Sequence, residues 1–111
     1  MEHIGSNDSI TVTIDDAKVI VVKGDVDLAG GPLLDDALAR AESAGAVVID
    51  VSGVDFIDSS GLRSLLSASR RAEERSGDVV LRAPSPGVLR LLELTGTTDQ
   101  FRIEAAGPST A

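Results

Sequence analysis

The segment "AVVIDV", residues 46–51, constrains the fold more than any other part of the sequence. It is apolar at every position except Asp50. A short run of this kind is typical of a strand buried on both faces, as in a parallel sheet covered by helices. One helical pattern precedes the run, another follows it, and a second apolar run, "DVVLRA" at 78–83, comes next. This alternation predicts parallel strands joined by right-handed crossovers.

The remaining patterns extend this βαβαβ unit at both ends. Three further strands are predicted, "SITVTI" (9–14), "KVIVVKG" (18–24) and "QFRIE" (100–104), the first two as a hairpin. The predicted helices begin near Pro32, near Ser60 after a loop "SGVDFID" (52–58), and at Ser85 as an N-cap. They end at Gly45, near Arg75 and at Gly96, respectively.

We therefore expect an α/β fold with a mixed, mostly parallel sheet of four to five strands and helices packed mainly on one side. The chain has 111 residues, which suits one domain. We place this domain at residues 9–104. Residues 1–8 and 105–111 are polar or rich in small residues, and we expect them to be a flexible N-terminus and a flexible C-terminal tail.

Composition excludes several classes of function. The formal net charge is −8, which argues against nucleic acid or an anionic membrane as a partner and permits a basic protein partner. There is no cysteine, so disulfides and thiol chemistry are excluded. No apolar run reaches the ~18 residues that a membrane span requires, and the N-terminal residues do not form a secretory signal. These features predict a cytoplasmic protein.

The segment "DFIDSSGLRSLL", residues 55–66, places two serines where a helix is predicted to begin. Either serine would cap that helix, and Gly61 would ease the tight entry. A nucleophilic serine needs a base, and His3, the only histidine, lies outside the predicted domain, so a catalytic triad is implausible. A serine at this position is also suited to accept a phosphate, because a helix N-terminus favours an anion. The phosphate would add charge beside Asp58, Asp55 and Asp27.

The sequence resembles the STAS domain, and specifically the bacterial anti-sigma-factor antagonists. The resemblance rests on "VVIDVSGVDFIDSSGLRSLLSASRRA", on the upstream "VKGDVDLAGGPLLDDAL" and on "VVLRAPSPGVLRLLELTGTTDQFRI". It implies a non-enzymatic protein without cofactor that, when unphosphorylated, binds an anti-sigma factor with serine kinase activity and so releases the sigma factor. Phosphorylation by that kinase ends binding, and a metal-dependent serine phosphatase restores the active form. We expect a monomer or a weak dimer.

The resemblance also assigns roles to individual residues. The phosphate acceptor is the first serine of Asp-Ser-Ser-Gly, which here is Ser59, with Ser60 less suited and expected to be the cap. Asp58 would shape the acceptor loop, and Asp27 would lie nearby across the sheet end. Arg63 stands where the family often has a small or apolar residue, and it would pair with the phosphate or meet an acidic partner. The expected acceptor loop and partner surface comprise Asp27, Asp55, Asp58, Ser60, Gly61 and Arg63.

Other functions remain open from the sequence. The same fold serves as a constitutive scaffold or adaptor subunit in signalling or lipid-transport complexes, in which no phosphorylation occurs. A receiver domain is disfavoured, because it would need a late lysine and none follows Lys23. A metal site is not predicted: Asp27, Asp50, Asp55 and Asp58 are better interpreted as ordinary loop carboxylates.

Overall fold

The computed structural model describes residues 2–27, 30–41 and 46–105. Over these residues one sheet contains six strands, in the spatial order β1-β2-β3-β4-β5-β6. The strands are β1 (Glu2–Ser6), β2 (Ile10–Ile14), β3 (Ile20–Val26), β4 (Val47–Ile57), β5 (Val79–Arg82) and β6 (Arg102–Glu104). The helices are α1 (Gly31–Ala41), α2 (Ser59–Glu74) and α3 (Pro86–Thr95), and Thr98–Gln100 form a 3-10 turn.

The sheet is mixed, as expected. The pairs β1–β2 and β2–β3 are antiparallel, whereas β3–β4, β4–β5 and β5–β6 are parallel. Helix α1 packs against β1, β2, β3 and α2, helix α2 packs on β4 and β5, and helix α3 packs on β4. The α/β class of fold is confirmed.

The helices cover one face of the sheet. Val12, Val22 and Ile49 lie on the covered face and are buried with Leu38 and Leu65 of the helices in a single apolar core. Neighbouring positions point to the opposite face, because successive side chains of a strand alternate. On that face Thr11 and Lys23, which are paired across β2 and β3, are exposed.

The N-terminal segment departs from the prediction. Residues 1–8 were expected to be flexible, but Glu2–Ser6 instead form the edge strand β1, paired with β2. Arg40 of α1 donates a 2.7 Å hydrogen bond to Glu2 and also pairs with Asp36. The hydrogen bond to Asp36 and the charge of its carboxylate raise the pKa of the Arg40 guanidinium, and Glu2 acts in the same direction to a smaller extent. The expected C-terminal tail, 105–111, lies outside the described residues except for Ala105.

Strand β4 is longer than its apolar run. The segment at 52–58, predicted to be a loop, continues the strand as far as Ile57. The pairing with β3 shifts at two places, between Val21 and Lys23 and between Gly24 and Asp25. At each of these shifts, strand β4 contains one more residue than the paired segment of β3. The turn-forming pair Ser52-Gly53 lies at the first of these shifts.

Candidate functional site

The candidate site lies beyond the carboxyl ends of β3 and β4. These strands are parallel, and Val26 pairs with Ile57 at their ends. The chain then continues as Asp27 in one strand's loop and as Asp58 in the other's. The backbone N–H of Asp58 donates a 3.1 Å hydrogen bond to the carbonyl oxygen of Val26, which joins the two strand ends. In open α/β sheets, this edge is where ligands generally bind.

Asp58 caps helix α2, and the expectation that Ser60 would do so is wrong. The Oδ1 atom of Asp58 accepts hydrogen bonds from the backbone N–H groups of Ser60 at 2.8 Å and Gly61 at 3.2 Å. The backbone of Asp58 is extended, as an N-cap requires. A carboxylate is also favoured there by the positive end of the helix dipole. The cap thus leaves both serine hydroxyls unused for helix initiation.

The two serines differ in accessibility. Ser59 is the first residue of α2 and is exposed, whereas Ser60 is half-buried. Within the described part of the chain, the Ser59 hydroxyl makes no hydrogen bond. The backbone carbonyl of Ser60 lies 3.5 Å from the hydroxyl of the buried Ser64. Ser59 therefore presents the more accessible hydroxyl to a modifying enzyme.

Gly61 allows the start of α2 to sit directly on the strand ends. It is buried, and a Cβ atom at this position would lie 2.6 Å from Cγ1 of Val26 and 2.8 Å from Cγ1 of Ile57. Any larger residue would push the helix start away from the sheet. Gly61 therefore lets the first turn of α2, which contains Ser59, pack closely against the ends of β3 and β4.

The predicted acidic residues occupy the same edge of the sheet. Asp27 is half-buried and closes the turn into α1, with its Oδ1 atom 3.1 Å from the backbone N–H of Gly30. Asp55 is exposed near the end of β4. Asp50, by contrast, lies further back in β4 and accepts hydrogen bonds from the N–H and hydroxyl of Ser52. Across residues 2–27, 30–41 and 46–105, no group of three or more acidic or histidine side chains is placed to hold a metal ion.

Arg63 is exposed on α2, four residues after Ser59. Residues at this spacing are neighbours on a helix surface. Among the residues that the structure describes, Arg63 forms no ion pair. Its guanidinium is therefore available to a phosphate on Ser59 or to a carboxylate of a partner, and both alternatives predicted from the sequence remain open.

Two residues of this edge were not predicted, Phe56 and Asp25. They are paired across β3 and β4, and Phe56 is 54% exposed. The sequence predicts a loop at 52–58, and a loop has no regular alternation from which the orientation of Phe56 would follow. The signal available in the sequence was "VDFI", in which the three residues other than Asp55 are apolar, and which is more consistent with a strand than with a loop.

The fold and the site together define a small α/β domain with an exposed serine at a helix start beyond parallel strand ends. A family model described as "Mlab, STAS domain" matches residues 10–103. The chain therefore belongs to the STAS-domain family, and the resemblance seen in the sequence is confirmed. None of the helices within the described ranges is long and apolar enough to cross a membrane.

Similar proteins carry consistent names. An anti-sigma-B factor antagonist of Listeria monocytogenes is 31% identical over 87 residues, covering 77% of this chain and 76% of that protein. An anti-sigma-F factor antagonist of Mycobacterium tuberculosis is 38% identical over 69 residues, covering 58% and 57%.

Solved structures show the same fold. The crystal structure of an anti-sigma factor antagonist from Mycobacterium paratuberculosis superposes with a TM-score of 0.78 at 30% identity, over 95% of this chain and 93% of that one. Unphosphorylated SpoIIAA, an anti-sigma factor antagonist, superposes with a TM-score of 0.62 over 92% and 93%. At 17% identity, this second likeness concerns the fold alone.

Proposed function

We propose that this protein is an anti-sigma-factor antagonist whose binding is switched off by phosphorylation of Ser59. Unphosphorylated, it binds an anti-sigma factor that carries serine kinase activity, and the sigma factor is released. The protein itself is not an enzyme. A metal-dependent serine phosphatase reverses the modification. The observation that carries this proposal is the exposed Ser59 hydroxyl at the first position of α2, with the cap supplied by Asp58.

The geometry supports a modification that leaves the fold unchanged. Because Asp58 supplies the cap, the Ser59 hydroxyl can be esterified without removing a hydrogen bond that helix α2 requires. A phosphate at the helix start is stabilised by the dipole by roughly 0.3–1 kcal/mol when exposed. Ser60 is the weaker candidate, since it is half-buried in the first turn of α2.

The charge change is large enough to act as a switch. Phosphoserine carries about −1.5 to −2 charges at neutral pH. If a partner carboxylate lies ~6 Å away, with an effective dielectric constant of ~20, each pair of unit charges costs about 3 kcal/mol. This corresponds to roughly a hundredfold loss of affinity. Asp55, Asp58 and Asp27 already make this corner acidic, so the added charge strengthens an existing field.

The proposal is tested with the kinase-type anti-sigma factor of the same organism, purified and incubated with ATP. We expect phosphate incorporation into the wild-type protein and into Ser60→Ala, and none into Ser59→Ala. Isothermal titration calorimetry on the same anti-sigma factor should give similar Kd values for wild type and Ser59→Ala. For Ser59→Asp, which adds one charge, the same estimate gives a rise in Kd of up to about a hundredfold.

Two outcomes would contradict this assignment. Labelling of Ser59→Ala at the wild-type level would place the acceptor elsewhere. Unchanged affinity of both Ser59→Asp and the phosphorylated protein would instead favour the constitutive scaffold, which has the same fold but no switch.

A further inference from the structure

The end of β4 turns an aromatic side chain out of the core. Val54 and Ile57 are buried, whereas Asp55 and Phe56 between them are exposed. In a regular strand, Phe56 would share the buried face with Val54, because alternate residues point to the same side. Here Gly24 pairs with Val54 but Asp25 pairs with Phe56, so Asp55 is an extra residue. A bulge of this kind re-aims the side chain that follows it.

Contacts from separate parts of the chain fix this bulge. Gly24 has φ +100°, and a Cβ atom there would lie 2.1 Å from the carbonyl oxygen of Ser9. The backbone N–H of Asp25 donates to that same oxygen at 2.8 Å. On the other side, the hydroxyl of Ser85 donates a 2.7 Å hydrogen bond to the carbonyl oxygen of Val54. The outward orientation of Phe56 is therefore built into the fold.

Aromatic side chains are scarce in this chain, which has two phenylalanines and no tyrosine or tryptophan. Phe101 is 8% exposed and belongs to the core, whereas Phe56 is 54% exposed. Phe56 lies three residues before Ser59, at the same edge of the sheet. Aromatic residues are enriched in protein–protein interfaces and often carry most of the binding energy.

Negative charge surrounds this aromatic ring. Asp25 is its cross-strand neighbour, and Asp55 precedes it on an exposed position. Asp58 follows it by two residues. Lys23, the nearby basic residue of β3, pairs with Gly53, two pairs further from the strand end than Asp25 and Phe56. A partner that complements this surface must combine an apolar pocket with basic side chains around it.

We propose that Phe56 is the apolar anchor of the docking surface, which we define as Phe56, Asp25, Asp55 and Ser59. In this arrangement Phe56 enters an apolar pocket of the anti-sigma factor, and basic residues at the pocket rim face Asp25 and Asp55. The inference rests on the proposed function, and it extends the contact from the start of α2 onto the open face of the sheet. The phosphate on Ser59 would then act next to the anchor.

The test compares Phe56→Ala with Leu94→Ala, both unphosphorylated. Leu94 of α3 is 72% exposed and provides a matched apolar truncation outside the docking surface. Titration calorimetry with the purified kinase-type anti-sigma factor should give a Kd about 30-fold higher for Phe56→Ala. Surface plasmon resonance should attribute most of this change to faster dissociation. Leu94→Ala should change Kd less than about twofold. Circular dichroism and the urea midpoint establish that both variants remain folded.

A second variant tests the proposed contact with basic residues at the partner's pocket rim and leaves Phe56 in place. Asp55→Asn should weaken binding severalfold and should reduce the dependence of the association rate on salt concentration. Asp16→Asn, in the turn between β2 and β3, is the matched charge control and should leave both quantities unchanged.

If folded Phe56→Ala bound the anti-sigma factor with wild-type affinity, the inference would be overturned. It would also be overturned if the wild-type protein formed a homodimer and Phe56→Ala were monomeric, because the ring would then anchor a second copy of the chain. Sedimentation velocity distinguishes this case. The proposed function is judged separately, by Ser59→Asp. If Ser59→Asp loses binding while Phe56→Ala retains it, the switch stands and only the anchor is rejected.

Discussion

The hydroxyl of Ser85 bonds to the carbonyl oxygen of Val54, 31 residues earlier in the chain, at 2.7 Å. The same hydroxyl oxygen caps α3, lying 3.5 Å from the backbone N–H of Val88. One side chain therefore joins the start of α3 to the bulge of β4 that turns Phe56 outward.

Replacement of Ser85 by alanine should lower the free energy of unfolding by about 1–2 kcal/mol, because it removes a cap and leaves a carbonyl oxygen without its donor. Urea denaturation followed by circular dichroism measures the change. Ser67→Ala, on the half-buried side of α2, is the control and should fall within about 0.5 kcal/mol of wild type. Equal midpoints for the two variants would contradict the role given to Ser85.

Gly24→Ala should destabilise the protein more than Gly96→Ala. Both glycines have positive φ, so alanine is strained at each position by about 1–2 kcal/mol. Only at Gly24 would the new Cβ atom also collide with backbone, the carbonyl oxygen of Ser9, whereas nothing lies within 4 Å at Gly96. The difference between the two losses of unfolding free energy, measured by urea denaturation, reports this collision together with the greater backbone strain at φ +100°. If Gly96→Ala proved the more damaging, the close approach of β2 and β3 would be wrong.

Asp58→Ala should lower the free energy of unfolding by about 1 kcal/mol, within the range measured for lost N-caps. Asp58→Asn retains a side-chain oxygen that can accept from Ser60 and Gly61, so most of the stability should remain. Thermal unfolding of the wild type, Asp58→Ala and Asp58→Asn measures their relative stability. A cap supplied by Ser60 instead would make Ser60→Ala the more damaging change, and this comparison distinguishes the two assignments.

The free energy of unfolding of Ser59→Asp should lie within about 1 kcal/mol of the wild-type value. The helix dipole stabilises the new carboxylate, and repulsion by Asp58 and Asp55 destabilises it by a similar amount. Thermal unfolding at low and high salt measures the balance, and the two proteins should converge as salt screens the charges. Severe destabilisation would mean that loss of binding by this variant reports unfolding.

Much of the fold could be predicted from local patterns. The alternation in β2 and the Ser85 and Gly96 caps of α3 each depend on a few neighbouring residues, and the structure contains them. The run at 46–51 does form part of β4, but the expectation that it is buried on both faces is wrong. Val47, Ile49 and Val51 are buried, whereas Val48 and Asp50 are half-buried on the face that the helices leave open. The edge strand β1 could not be predicted this way. "EHIGS" has one large apolar residue, and its strand conformation comes from pairing with β2.

The site was predicted less completely. Asp-Ser-Ser-Gly indicated where the helix begins, but the choice among Asp58, Ser59 and Ser60 as the cap depends on how the chain leaves β4. The orientation of Phe56 depends on an extra residue in one strand relative to its neighbour. Such a register shift is a property of the pair of strands, so neither strand's sequence shows it alone.

The division of labour at the start of α2 bears on how such a regulator can change over generations. Asp58 supplies the cap of α2 and Ser59 does not, so a substitution at Ser59 leaves that cap in place. If the proposed function holds, alanine at this position would give a permanently engaged antagonist, and aspartate one biased toward release. A lineage could therefore lock this circuit in either state by one substitution and later restore the switch by reversion.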